Sequence, residues 1–211
     1  MRTLDRHTVR ELLVPFGITL ISVQMDLLLA YLDLLGRWNR KINLTAIRTS
    51  EECVTRHFGE SMYLGRWVRL AGRNLDVGSG AGFPGLALKI LFADLATTLL
   101  EPVGKKRAFL KEVVRTCGMK SVEVRPERLE EYLTLRPEPF NSATSRAVGD
   151  LSRIAETAAG SLKPGGRLCL WLGEEQGRLL AGQPLGLAWD PPVRIPGTRQ
   201  NAIWIGNKVS E

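Results

Sequence analysis

Histidine and cysteine are scarce in this chain. Only His7 and His57 are present, so a metal-dependent mechanism has few ligands to draw on, and no metal is expected. Cys53, Cys117 and Cys169 are odd in number, widely separated, and form no C-x-x-C. A disulfide framework or zinc site is therefore not expected, and the three read as small buried or half-buried residues. No apolar run approaches the length of a membrane span, and there are no internal repeats or low-complexity tracts. The opening Met-Arg-Thr-Leu-Asp-Arg-His has no apolar h-region, so the expectation is no signal peptide, no membrane partner and a cytoplasmic location. Acidic residues are also in deficit: 29 Lys and Arg against 22 Asp and Glu leave a net charge of +7. That balance points to a polyanionic partner, with nucleic acid ahead of an acidic membrane.

The chain is organised around residues 73–85, Arg-Asn-Leu-Asp-Val-Gly-Ser-Gly-Ala-Gly-Phe-Pro-Gly. A short apolar run stops at Gly78, glycines recur at Gly80, Gly82 and Gly85, and an apolar helical stripe follows. Strand, glycine turn, helix is the nucleotide-binding arrangement of an open α/β sheet. The glycines supply backbone angles that a Cβ forbids and let a ligand lie against the main chain. By itself this pattern is shared by nicotinamide, flavin and non-binding turns. Asp76, two residues before Gly78, gives Asp-x-Gly-x-Gly-x-Gly, which looks like the first motif of the S-adenosylmethionine (SAM) methyltransferases more than the dinucleotide fingerprint. Pro84 removes a backbone donor that a pyrophosphate would use, and SAM has no phosphate.

The first 70 residues read as helical, without strand signals. Val9, Leu12, Leu13 and Phe16 make one face, closed by Pro15 and Gly17; Ser22 caps a second helix; Thr49 with Glu52 forms a capping box for a third that carries Arg56 and His57. From 73 onward, candidate strands at 73–77, 97–101, 121–125, 141–145 and 166–172 alternate with candidate helices at 84–92, 105–117, 127–134, 150–160 and 174–181. Lys163-Pro164-Gly165-Gly166 reads as a helix-to-strand turn. Two late strands, near 187–194 and at 202–205, suit an antiparallel hairpin. The expected fold is α/β and Rossmann-like: a seven-stranded, mostly parallel sheet with helices on both faces. Residues 1–70 would form a helical cap on a domain of residues 71–211, together one compact unit and a monomer.

Glu101 ends the second strand, 25 residues after Asp76, near the spacing at which an acid reaches ribose hydroxyls. Lys105, Lys106 and Arg107 open the next helix against its dipole, as RNA contacts or as a solvated face. Glu127 to Glu131, including Leu129 and Glu130, lies where loops line the crevice and can read an adenine edge, although acids also suit a helix start. Arg146, in Ser145-Arg146-Ala147, can meet a cofactor carboxylate, incoming RNA or a structural acid. Arg56 and His57 are adjacent, diverge by roughly 100°, and so cannot share one face. Asn43 is a turn former or a base reader.

Taken in order, Trp38-Asn39, Asn43-Leu44-Thr45, Arg56-His57, Asp76 to Gly85 with its Phe83-Pro84-Gly85 ending, Lys105 to Leu110 and Ser145-Arg146-Ala147 resemble the RsmG family, also called GidB, of bacterial 16S rRNA (guanine-N7) methyltransferases. The resemblance covers most of the chain and is weakest after residue 172. It implies a class I SAM-dependent enzyme acting on 16S rRNA or the small ribosomal subunit, at guanine 527 of the 530 loop. Gly78, Phe83, Leu129, Glu130 and Arg146 would line the cofactor, with Asp76, Gly80 and Glu101 beside it; Asn43, Arg56 and His57 would face the RNA, with Arg199 the clearest basic residue of the closing segment. Two departures stand out: Leu172-Gly173 where the family has Lys-Gly, which would remove a basic residue from the cleft, and Glu60-Ser61 where it has Asp-Ser. Guanine N7 already holds a free lone pair, so the expected mechanism is positioning and electrostatics without a catalytic base. The alternatives are a SAM-binding rRNA assembly factor with weak or no activity, and a small-molecule methyltransferase.

Overall fold

The computed structural model describes residues 3–146 and 149–209. Helix α1, Arg6–Leu13, starts where the Asp5 carboxylate accepts from the Thr8 N–H at 2.8 Å and buries Val9 and Leu13. A single 3₁₀ turn, Val14–Phe16, then ends on Gly17 in the left-handed region, as Pro15 and Gly17 predict. Helix α2, Ser22–Asn39, buries Met25, Leu28, Tyr31, Leu32 and Leu35. Its cap is not Ser22, which is already helical: Ile21 precedes the helix, and the Gln24 side chain accepts from the Ile21 N–H at 3.0 Å. Thr49 does cap α3, Ser50–Glu52, accepting from the Glu52 N–H at 3.2 Å. The chain then widens into a π-helical stretch, Cys53–Gly59, before α4, Glu60–Met62. Such widened turns recur at functional sites, and this one carries Arg56 and His57.

The sheet follows as β1 Arg73–Val77, β2 Ala96–Leu100, β3 Val122–Arg125, β4 Phe140–Arg146 and β5 Leu162–Gly173, separated by α5 Gly85–Leu91, α6 Gly104–Thr116, α7 Leu129–Thr134 and α8 Leu151–Gly160. After α9, Glu174–Ala181, come β6 Leu187–Trp189, β7 Val193–Arg194 and β8 Asn201–Lys208. The strand order is β3-β2-β1-β4-β5-β8-β6, with β7 also on β8. The first five strands pair in parallel, and β8 pairs antiparallel with β5, β6 and β7. Two details differ from expectation. The segment near 187–194 is interrupted at Pro191-Pro192, which cannot donate to a ladder, and gives two short strands, so among the described residues the sheet has eight strands rather than seven. The Lys163-to-Gly166 turn is absorbed into β5 as an irregularity, with the register shifting between Phe140 and Ser142 on β4.

One apolar layer joins α1 and α2 to α5 and α6, through Val9, Leu13, Met25, Leu28, Tyr31, Leu86 and Phe109. The opposite face packs Leu75, Ala143 and Leu170 of the sheet against Leu129 and Tyr132 of α7, Ala155 of α8 and Leu180 of α9. The order reverses between β1 and β4, the switch point where an open α/β sheet leaves a crevice beyond its strand ends. A buried polar ladder fixes that junction. Ser142 donates to Asn74 at 2.7 Å, Asn74 donates to Thr144 at 3.3 Å, and Thr144 donates to Asp76 Oδ1 at 2.7 Å.

Candidate active site

A cavity of about 660 Å³ opens at this switch point. Its floor is the loop after β1. Gly78 and Gly80 adopt φ of 69° and 56°, a region that L side chains rarely enter. Glu101, just past β2 and 3% exposed, ties the loop to its neighbour. One carboxylate oxygen accepts from the Gly80 N–H and the other from the Val103 N–H, each at 2.8 Å. Each oxygen keeps a free lone pair. Arg107 donates to the carbonyls of Glu101 and Pro102 at 3.0 and 2.6 Å, which gives this helix-start cation a structural partner; Lys106 lines the cavity.

Gly78, Gly80, Phe83, Glu101, Leu129, Glu130 and Arg146 all line the cavity, as does His57. Asp76 does not, a correction to its expected contact with a ligand. It points to the other side of β1, fully buried, with Oδ2 beside Gly85 so closely that a Cβ there would lie 2.7 Å away. Burial pushes its carboxyl up to about 6, against the pull of the Ser79 and Thr144 hydroxyls. Asp76 is thus a buttress under the glycine loop. Asn43, Arg56 and Arg199 are exposed and outside the cavity wall. Asn43 adjoins Leu44 and Thr45, which do line it. Arg199 lies on the loop before β8, whose Asn201 pairs with Gly173 at the end of β5. Leu172 is packed in the apolar layer under α9 and is not a wall residue.

Arg146 resolves as a structural ion pair that also forms wall. It donates to Glu60 Oε2 at 2.7 Å and to the Arg56 carbonyl at 2.6 Å. Burial lowers Arg146 and raises Glu60, each opposed by the other's charge. Trp171 Nε1 donates to the Glu60 carbonyl at 2.8 Å. The helix bearing Arg56 and His57 is thereby tethered to β4 and β5. Ala147 lies outside the described residues. On the opposite wall, Glu130 pairs with Arg153 at 2.8 Å.

Phe83 is engaged by protein rings more than by the cavity. It is 7% exposed and stacks on His57 at 4.7 Å and on Tyr31 at 5.3 Å between centroids. The Tyr31 hydroxyl donates to the Ala81 carbonyl of the glycine loop, so α2 grips that loop directly. Tyr31 gives no functional signal in the sequence, because one aromatic on an apolar stripe looks like core. Asn39 and Thr45 carry only the family resemblance there, although Asn39 builds the turn on which Thr45 stands.

His57 is half-buried, with Nε2 2.7 Å from Thr45 Oγ1. Burial, then the charges of Arg146 and Arg56, push its pKa down to about 3 from 6.5. The ring is neutral at pH 7. Because the folded pKa is depressed in a base, stability is full above the unfolded value near 6.5 and is lost as pH falls toward 3. At pH 5 the group should cost about 2 kcal/mol relative to pH 7.5. Denaturant unfolding at both pH values should show His57→Gln losing about 2 kcal/mol less than the wild type on acidification; equal losses would contradict a neutral, buried ring.

A glycine loop and a strand-end acid at the switch point of this sheet define a Rossmann-like α/β domain with a nucleotide-type crevice. The fold is shared with a SAM-dependent methyltransferase from Aquifex aeolicus (TM-score 0.61, 17% identity, 74% of this chain and 93% of that one). It is shared as well with the fibrillarin pre-rRNA processing protein of Methanococcus jannaschii (TM-score 0.56, 12% identity, 67% and 68%). Residues 24–182 match the family described as rRNA small subunit methyltransferase G. Relatives of that name include those of Chloroflexus aggregans, 36% identical over 95% of this chain and 88% of the relative, and of Halorhodospira halophila, 37% identical over 87% and 86%. The chain belongs to the rRNA small subunit methyltransferase G family, and it is a methyltransferase. Among the described residues no group of three or more His, Cys, Asp or Glu could hold a metal ion, and no helix is long and apolar enough to cross a membrane.

Proposed function

We propose that this protein transfers the methyl group of SAM to N7 of a guanine in small-subunit ribosomal RNA, in the cytoplasm. The observation that carries the reading is the Gly80–Glu101 junction, a left-handed glycine hydrogen-bonded to a strand-end carboxylate on the cavity floor. The residues present fit SAM. Glu101 has a spare lone pair on each oxygen for the two ribose hydroxyls. Among the described residues, and apart from the adjoining Ser79 and Ala81, only the Gly78 carbonyl oxygen comes within 4 Å of a Cβ position at Gly80. His57 is uncharged, so it does not repel a sulfonium. Bound there, SAM would supply an electrophilic methyl group.

The substrate follows from the name its relatives carry, small-subunit rRNA, and from the net charge of +7. Guanine N7 gives up no proton when it attacks, so the protein's work is to hold two reactants in line. Leu129 and Glu130, at the start of α7, would face the adenine. Arg146 would hold the Arg56–His57 helix as one wall of the base pocket. Asn43 and Arg56, next to the cavity-lining Leu44 and His57, and the exposed Arg199 would meet phosphate and base edges. Residues 1–70 would serve as a cap that folds together with 71–211 and forms the RNA side of the cleft.

Calorimetric titration with SAM, followed by transfer of labelled methyl to small-subunit rRNA, tests the reading. N7-methylguanosine should map to 16S rRNA from cells with the gene and be missing from cells without it. No SAM binding at sub-millimolar concentration would refute it.

A further inference from the structure

Thr45 stands on the cavity wall on a turn that Asn39 builds. Asn39 Oδ1 accepts from the Leu44 and Thr45 N–H groups at 2.9 and 3.0 Å, and Nδ2 donates to the Ile47 carbonyl at 3.3 Å. Among the described residues the Thr45 hydroxyl oxygen has two hydrogen-bonding neighbours. It accepts from the Ile47 N–H at 3.1 Å and lies 2.7 Å from His57 Nε2. A hydroxyl owns two acceptor lone pairs and one proton, so the question is which partner supplies the proton between Thr45 and His57. The other ring nitrogen decides it. His57 Nδ1 is buried and, among the described residues, has no hydrogen-bond partner. A proton there would be an orphaned buried donor, a costlier defect than an idle lone pair. The proton is therefore assigned to Nε2, which donates to Thr45 Oγ1. Both Thr45 lone pairs are then filled, and its own proton is left for a ligand in the cavity.

We infer that Thr45 is a specificity-determining donor that recognises an acceptor at position 6 of the target purine. The inference rests on the proposed methylation at N7. Next to N7 on that edge, guanine presents O6, an acceptor, and adenine presents a 6-amino donor. A hydroxyl with both lone pairs engaged can give a hydrogen bond to the first and cannot receive one from the second. Adenine would leave two donors facing each other, the arrangement by which a polar site rejects the wrong base.

The test uses the full chain, SAM and small-subunit rRNA in which the target guanine is kept or replaced by 2-aminopurine, which retains N7 and carries only hydrogen at position 6. Wild-type kcat/KM should favour guanine on the order of 10- to 100-fold. Thr45→Val should lose most of that preference, with the loss of rate larger on guanine than on 2-aminopurine, and Thr45→Ser, which keeps both lone pairs and the proton, should restore it. A Thr45→Val protein that keeps the wild-type preference overturns the inference. So does a wild-type protein that treats the two bases alike, a result that requires no variant to fold. If the wild type methylates no small-subunit RNA at all, the underlying function is overturned, and this inference with it.

Discussion

Gly80→Val is expected to weaken SAM binding by at least about 100-fold, near 3 kcal/mol, while the protein stays folded. Gly80 sits at φ 56°, where a β-branched residue is strained by roughly 1–3 kcal/mol. Among the described residues beyond the adjoining Ser79 and Ala81, a Cβ there meets no side chain: the nearest atom is the Gly78 carbonyl oxygen at 3.8 Å. The cost therefore falls on backbone conformation and not on packing. Relaxing that strain rotates the Gly80 N–H away from Glu101, to which it donates at 2.8 Å. Loop and ribose acceptor are then displaced together. Titration calorimetry reads the affinity, and a thermal melt reads the fold. A valine variant with wild-type affinity would place the cofactor elsewhere.

Arg146→Ala is expected to destabilise the protein by about 3–5 kcal/mol, since it strips the partner from a carboxylate buried at 4% exposure. Adding Glu60→Gln removes the stranded charge, so the double variant should recover a large part of the stability in denaturant unfolding. Turnover on small-subunit rRNA should not recover with it. The Arg56 carbonyl still lacks its donor, the helix that positions His57 remains loose, and the cavity wall remains incomplete. A double variant with wild-type turnover would reduce Arg146 to a tether replaceable by any neutral pair.

Much of this architecture is legible in the residues. The alternation of strand and helix after residue 73 is a matter of period and punctuation, and the strand at 73–77 and helix at 174–181 appear at the expected bounds. The late strands are less legible, because Pro191-Pro192 interrupts pairing locally while β8 supplies the partner for both halves. The glycine loop and Glu101 are legible because backbone angles and strand ends constrain residue type at a fixed spacing. Asp76 is misread for the same reason. Spacing places it beside the loop, but the two-residue period of a strand sends its side chain to the opposite face from the cavity-lining Val77.

The sequence by itself determined the parallel α/β frame, the turn that floors the cavity and a surface suited to a polyanion, because each follows from local periodicity, glycine stereochemistry or summed charge. Only the tertiary structure decided which polar groups share that cavity. Thr45 and His57 are twelve residues apart, Tyr31 and Ala81 fifty, and Arg146 and Glu60 eighty-six. Their contacts depend on how α2 and the π-helical turn pack over the end of the sheet. Hydrogen bonding and desolvation act across space within a few ångströms, and no spacing along the chain encodes that closeness.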